Sequence, residues 1–335
     1  MLKKKKILDI EAVYTARAFG NESEFFIGAG SETKPEAYLY TLSSCEASPI
    51  PHIPGGMMSF IPVPGKPHLY VSIMGLFPQF DGKESGIYLH TRMETNWESG
   101  KALGLPFAHR CEVLQQGGKD YLVAATISTH KEDPADWSAP GEVHIIDLDH
   151  CEYRKWKSEL IDNNITRNHG MCKAVIDGKE LVCVSGAEGI FYVDKDGDDW
   201  SVNQLFLKEV SEMFFFDLDG DGQDELVCIE PFHGNTLNIY KKDGANWQQK
   251  FSAELSFGHG LSAGIFKSEP TIVVGNRSGS LALESFVVQD LMTGKVERGM
   301  IEEGCAPTQT QVFTFNSKDY ILSANQKKNE VALYT

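Results

Sequence analysis

Asp217, Asp219 and Asp221 fall at alternate positions in the stretch FFFDLDGDGQDELV, Gly220 and Gly222 allow a tight turn, Gln223 offers a main-chain carbonyl, and Glu225 follows at position nine. Calcium takes six to eight oxygens, and carboxylates at that spacing suit it, so the run is a candidate calcium loop. An EF-hand would need a helix on each side and a Glu at position twelve, whereas these flanks are short, apolar and rich in β-formers. A second group is dispersed along the chain: His109, His169, Glu212 and His259. Imidazole nitrogens with one carboxylate form a mixed N/O set suited to zinc, manganese or iron rather than to calcium. With coordination positions left open, such a metal polarises a carbonyl or holds a carboxylate while a base removes the adjacent proton.

A repeat brings the dispersed four together. HRCEVLQQGGKDYLVAAT, HGMCKAVIDGKELVCVSG, EMFFFDLDGDGQDELVCIE and HGLSAGIFKSEPTIVVGN, starting at residues 109, 169, 212 and 259, superimpose as strand, turn and strand. Weaker copies start at Val13, Gly56 and Thr308. A third strand follows each pair, as in GIFYVD and TLNIYK, and Trp97, Trp156, Trp200 and Trp247 mark turns before a fourth. Four strands per repeat of 43 to 60 residues make a propeller blade. The expected fold is therefore all-β, a seven-bladed β-propeller forming one domain over residues 1–335. The last repeat ends after three strands, so residues 3–10 are expected to supply its fourth and close the structure. A pair of β-sandwiches would not predict such complementary missing strands. First strands line the channel of a propeller, which puts His109, His169, Glu212 and His259 at one level around it.

Other polar segments sort by their place in the blade. DKDGDDW, from Asp194 to Trp200, lies between third and fourth strands and reads as a glycine-bearing hairpin turn. The insertion STHKEDPADWSAPG, from Ser128 to Gly141, joins second to third strand, and a loop of that length is often functional. Loops of this class carry His130, Lys131, Glu230, His233, Asn276, Arg277, Asn325 and Gln326 toward one rim, while Arg110 and Arg167 add positive charge beside the channel. His130, His233 and Arg110 are the candidate catalytic groups. His52, His68, His90, His144 and His150 are expected to be structural.

A net charge of -16 argues against nucleic acid or an anionic membrane as partner, because those surfaces repel the chain. No apolar stretch reaches the roughly 18 residues needed to cross a membrane. MLKKKK is basic, but the ILDIEAVY after it is too short and too acidic for a signal-peptide core. The 7 cysteines are scattered with no CxxC and sit mostly in apolar strand patterns. Buried free thiols and a cytoplasmic location are the expectation. Walker, GxSxG, HExxH and dinucleotide motifs are absent.

The run DxDGDGxDELV between strands resembles the FG-GAP/VCBS repeats of calcium-bearing β-propellers, directly over about a dozen residues. Histidines lining a propeller channel are similar to those of metal-dependent carbohydrate lyases and dehydratases, such as the aldos-2-ulose dehydratase and oligogalacturonate lyase families. That resemblance implies His109, His169 and His259 as ligands of zinc or manganese, Glu212 as a fourth ligand or base, and elimination, dehydration or isomerisation of a small sugar or oligosaccharide. The rival expectation is a non-catalytic propeller that binds a protein or glycan through its top face, the histidines being ordinary channel lining. A hydrolase is less well served, since a glycosidase needs two carboxyls at a set separation and no second one stands in register with Glu212.

Overall fold

The computed structural model of the chain describes residues 2–77, 82–94, 96–149, 151, 155–244 and 246–335. Seven four-stranded sheets account for nearly all of it. Blade 1 runs from the strand Val13–Gly20 to Glu46–Pro49, blade 2 from Ser59–Val63 to Trp97–Gly104, and blade 3 from Ala108–Gln116 to Glu159–Thr166. Blade 4 runs from Gly170–Ile176 to Asp199–Phe206, blade 5 from Glu212–Phe216 to Asn246–Glu254, and blade 6 from Gly258–Phe266 to Lys295–Glu302. Blade 7 joins Pro307–Phe315, Lys318–Asn325 and Glu330–Tyr334 to the N-terminal strand Lys4–Asp9. The fold is thus an all-β, seven-bladed β-propeller whose last blade is closed by the N-terminal strand, as the complementary ends of the sequence require.

Burial explains why the strands differ in sequence. Second strands such as Lys179–Gly186 are buried over six consecutive residues, because both sheet faces pack against neighbours, and they read as continuous apolar runs. Fourth strands such as Asn246–Glu254 have no fully buried residue and carry mostly polar side chains. Hairpins between third and fourth strands turn on glycine where φ is positive, as at Gly197 (61°), which bears out DKDGDDW as a hairpin turn. Trp97, Trp200 and Trp247 lie within fourth strands, and Trp156 just before one.

The chain forms two compact units, one of residues 1–29, 39–47 and 210–335, the other of residues 30–38 and 48–209. In the first, blades 5 and 6 share a core that includes Val227, Ile239, Leu255, Val274 and Phe286, and blades 6 and 7 meet through Val273, Leu283, Ile321 and Tyr334. In the second, blades 3 and 4 pack Val123, Val143, Ile145, Leu181 and Val193 together. All 7 cysteines are free thiols, five of them buried. Among the described residues no helix is long and apolar enough to cross a membrane.

Strand pairing corrects the register of three blades. Gly170 pairs with Ser185, Gly260 with Gly275 and Arg110 with Ala125, and the residue before each is a histidine. In blade 5 the equivalent pair is Glu212 with Ile229, so Ser211, not Glu212, stands where the histidines stand. The amides of His169 and Ser211 reach the carbonyls of Ser185 and Ile229 in the same way, at 2.9 Å each. Met58 does so with Ile73, at 2.8 Å, which moves the equivalent residue of blade 2 from Gly56 to Met58. The sequence alignment slipped because EMFFF and HGMCK match by apolar pattern, and a one-residue slip exchanges the two faces of a strand.

Candidate functional site

A shared backbone device delivers the register residues. Phe107, Arg167, Phe257 and Ala306 all adopt left-handed φ values of 46–57°, each two residues before His109, His169, His259 and Thr308. Gly56 and Ala12 do the same before Met58 and Tyr14, so Tyr14 rather than Val13 is the blade 1 member. In blades 3 and 6 the histidine is then the extra residue of a β-bulge, inserted where the register shifts between Ala108 and Arg110 or between Gly258 and Gly260. Bulges re-aim a side chain away from the regular pleat, and they recur beside functional sites. All seven residues are buried: Tyr14, Met58, His109, His169, Ser211, His259 and Thr308.

In the first unit this register forms a connected polar cluster. His259 Nδ1 lies 2.8 Å from the Thr308 carbonyl, which can only accept, so Nδ1 carries the proton. Nε2 is then the lone-pair nitrogen, and Tyr14 Oη donates to it at 3.2 Å. Thr308 Oγ1 donates back to the Tyr14 carbonyl at 2.7 Å, which ties the strands of blades 1, 6 and 7. His233 joins from the loop after the second strand of blade 5. Its backbone is left-handed (φ 48°), its amide donates to Ser211 Oγ at 3.0 Å, and its ring stacks on Phe232, Phe257 and His259 at 3.9, 4.7 and 5.6 Å. Nitrogens of His233 and His259 lie within 4.8 Å of each other, close enough to hold one cation.

In the second unit the rings of His109 and His169 are 4.6 Å apart. Arg110, read from sequence as catalytic, is buried and spends Nη1 on the Met58 carbonyl at 3.0 Å, so it buttresses blade 2 against blade 3. Arg167 pairs with Glu209 at 2.5 Å. His130 is exposed on the long loop, with Thr129 Oγ1 3.4 Å from its Nδ1. Glu212 is half-buried in the position of Gly170 and Gly260, one residue off the histidine register.

Several rim residues prove structural. Asn276 Nδ2 donates to Glu284 Oε2 at 2.8 Å, and Arg298 binds both oxygens of that carboxylate at 2.9 and 2.7 Å. Asn325 is buried between Glu330 and Tyr334 Oη, at 2.9 Å from each. Arg277 reaches Gln326, which ties two adjacent loops at the surface. His90 sits between Ser72 and Ser99 hydroxyls, and His144 pairs with Glu142, as structural histidines. His52 and His68 are exposed, and His150 lies outside the described residues.

The acidic loop has the shape anticipated but a different centre. Oxygens of Asp217, Asp219 and Asp221 lie within 4.8 Å of one another, so the cluster could hold a cation. The cation among these carboxylates is Lys241, whose Nζ is 2.5 Å from Asp219, 2.8 Å from Asp221 and 2.9 Å from Glu225. Asp217 accepts amides of Gly220, Asp221 and Gly222, Gln223 donates its amide to Asp221, and the second oxygen of Glu225 takes the Leu218 amide. Burial alone would lower the Lys241 pKa, but its three carboxylate partners raise it overall. Glu225 is fully buried, and that burial raises its pKa although Lys241 opposes the shift. Lys241 was not singled out from sequence. Its signal was the strand register, since Leu226 pairs with Tyr240 and Glu225 therefore lies opposite Lys241.

The architecture is that of the β-propeller class, and comparison with solved structures agrees. The β-propeller domain of Cps50 (Swd1) from Myceliophteria thermophila superposes with a TM-score of 0.64 over 99% of both chains at 7% identity. A functionally unknown protein from Desulfotomaculum acetoxidans gives 0.59 at 10% identity, covering 87% of this chain and 86% of its own. A 6-phosphogluconolactonase candidate from Bacteroides uniformis gives 0.59 at 12% identity, covering 88% and 86%. At such identities the likeness establishes the fold alone. No family model and no curated protein matches the chain.

Proposed function

We propose that residues 1–335 form a single propeller domain that is not a catalyst and binds a protein or glycan through the loops joining second to third strands. One observation carries this reading: both ring nitrogens of buried His259 are engaged internally, by the Thr308 carbonyl and the Tyr14 hydroxyl. That is how a structural lining histidine is held. These loops supply what a binding surface needs: Phe232 and His233 stack on Phe257, which precedes the first strand of blade 6, and Arg277, whose amide donates to the Phe257 carbonyl, is linked to Gln326.

A second reading keeps zinc or manganese on His109, His169 and His259, acting on a small sugar derivative. It is favoured by the fixed tautomer of His259, because an Nδ1–H bonded to a carbonyl is what orients a metal-ligating imidazole. His233, within reach of His259, would then be ligand or base. The name of the Bacteroides uniformis neighbour is compatible with sugar chemistry. The FG-GAP/VCBS likeness rests on residues 214–227, where calcium would have to displace the Lys241 ammonium.

Metal analysis of untagged protein separates the readings. The binding reading expects less than about 0.1 equivalent of transition metal per chain, and a His109→Gln, His169→Gln, His259→Gln variant that keeps the wild-type profile on glycan and peptide arrays. Arg277→Glu, by contrast, is expected to weaken array binding roughly tenfold. Stoichiometric zinc or manganese, lost in the triple variant, would overturn the binding reading in favour of the lyase.

A further inference from the structure

Of the 7 cysteines only Cys45 is exposed, in the turn of residues 42–45 that joins the third and fourth strands of blade 1. Its backbone is left-handed, with φ 59°. Residues 291–294 make the same four-residue turn in blade 6, and there the left-handed position, φ 68°, is Gly294. Cys45 therefore holds a thiol where glycine would sit without strain, and strained backbone collects at working sites. The thiol has two reactive neighbours. Lys5, on the closing strand Lys4–Asp9 of blade 7, places Nζ 3.1 Å from Cys45 Sγ and 3.5 Å from Tyr40 Oη. Tyr40 is buried, so it gives the pair a fixed wall. Hydrogen bonds from Tyr40 and Lys5 hold the Cys45 pKa below its usual 9.0, and the bond to Cys45 raises that of Lys5 above 10.5. Both shifts favour a thiolate beside an ammonium, at the seam between the last blade and the first.

We propose that Lys5 and Cys45 form an oxidant-triggered covalent lock, in which hydrogen peroxide converts the thiol to a sulfenic acid and the lysine amine condenses with it to a sulfenamide. In the first step a lone pair of the thiolate attacks one peroxide oxygen and the O–O bond breaks. The departing hydroxide takes a proton from the Lys5 ammonium and leaves as water, so sulfur is oxidised, peroxide is reduced, and the amine becomes neutral. In the second step the Nζ lone pair attacks sulfur, the S–O bond breaks, and the hydroxyl leaves with a proton from nitrogen as a second water. One peroxide is consumed per S–N bond formed. The same lysine thus serves as proton donor first and nucleophile second, which its position beside Sγ allows without any rearrangement of the strands. The link joins the strand that closes blade 7 to the hairpin of blade 1, and a thiol reductant reopens it by attack on sulfur.

The test treats the whole chain with hydrogen peroxide, quenches with catalase, and cleaves after glutamate without reductant. Residues 1–11 and 37–46 are expected to appear as one species, two hydrogens lighter than the sum of the two peptides, with fragmentation placing the bond between Lys5 and Cys45. Dithiothreitol is expected to separate them. The folded chain should form the link roughly tenfold faster than the chain in urea, because only folding brings the two groups together. Lys5→Arg keeps a cation beside the thiol but no amine that condenses, so Cys45 is expected to oxidise onward to sulfinic acid with no link. Linked wild type is expected to unfold at a urea midpoint about 1 M above the reduced chain, a difference that Lys5→Arg lacks. Oxidation of Cys45 in the folded wild type with Lys5 unlinked, or a link that forms as fast in urea, would overturn the proposal, and an unmoved midpoint in the linked chain would refute the lock. The peptide measurements on the wild type need no variant, and no outcome bears on the metal analysis above.

Discussion

Deleting residues 2–10 is expected to leave a chain that unfolds at much lower urea concentration and aggregates from its last blade. The strand Lys4–Asp9 pairs with Glu330–Tyr334 from Lys4 opposite Tyr334 to Asp9 opposite Glu330. Leu8 and Ile10 are buried beneath it, and losing both removes about 3–6 kcal/mol of apolar burial. A folded domain holds only about 5–15 kcal/mol in total, so this alone threatens cooperativity. Deletion also bares Glu330–Tyr334 as an edge strand, with open amides and carbonyls that template association. Lys4 binds Glu302 at 2.7 Å and also Glu330, and Glu302 further engages Lys328 and Tyr334.

This network gives the closure a pH window. Burial would raise the Glu302 pKa, but Lys328, Lys4 and Tyr334 outweigh it and hold the carboxyl below its usual 4.5. Its contribution is therefore present above the unfolded value and lost as pH falls through the lower folded value. Burial would lower Lys4, but Glu302 and Glu330 raise it above 10.5, so its contribution is present below that value and lost as pH rises past the folded one. Urea titration followed by tryptophan fluorescence measures the deletion, and a synthetic peptide of residues 2–10 added in trans is expected to restore part of the midpoint. An unchanged midpoint would show that the strand is decoration.

Blade number and closure were legible in the sequence because they depend on pattern. Strands buried on two faces must be continuously apolar, and LVCV, LVCI and TIVV repeat at a fixed distance from a turn. What was not legible was the position within a pattern to a single residue. Ser211 carries no chemical advertisement, and Glu212 next to it does, so residue type pulled the alignment one step away from the backbone pairing. The left-handed turns at Phe107, Arg167 and Phe257 would have settled the register, but left-handed backbone at non-glycine residues is rare and leaves little composition signal. Tyr14 was hidden for the same reason, since a tyrosine in a β-rich stretch reads as core until its hydroxyl is seen against His259. Arg110 shows the converse. Its charge suggested chemistry, whereas a buried arginine between two blades spends its donors on carbonyls.

Replacing Lys241 with methionine is expected to destabilise blade 5 and at the same time to make it respond to calcium. The ammonium touches three carboxylates, and one of them, Glu225, is fully buried. Removing one partner of a buried ion pair costs about 3–5 kcal/mol, and the lower end applies because the Lys241 side chain keeps 18% of its exposure. Methionine preserves the apolar stem of the lysine, so the loss reports the charge. The variant takes the Lys241 ammonium away from Asp219, Asp221 and Glu225, and oxygens of Asp219 and Asp221 lie within 4.8 Å of Asp217, close enough together to share a calcium ion. Calcium at a hundred times its dissociation constant is expected to return about 2.7 kcal/mol. Acid should also narrow the gap between variant and wild type. The Glu225 pKa is already raised by burial and rises further without Lys241, so a proton is held more tightly by the folded variant than by the unfolded chain as pH falls toward that value. In the wild type, calcium must displace a bound ammonium, and millimolar calcium or a chelator is expected to move the unfolding midpoint little. A wild-type midpoint that falls on chelation as far as the variant's would return the loop to calcium and make Lys241 a bystander that closes in only when the ion leaves.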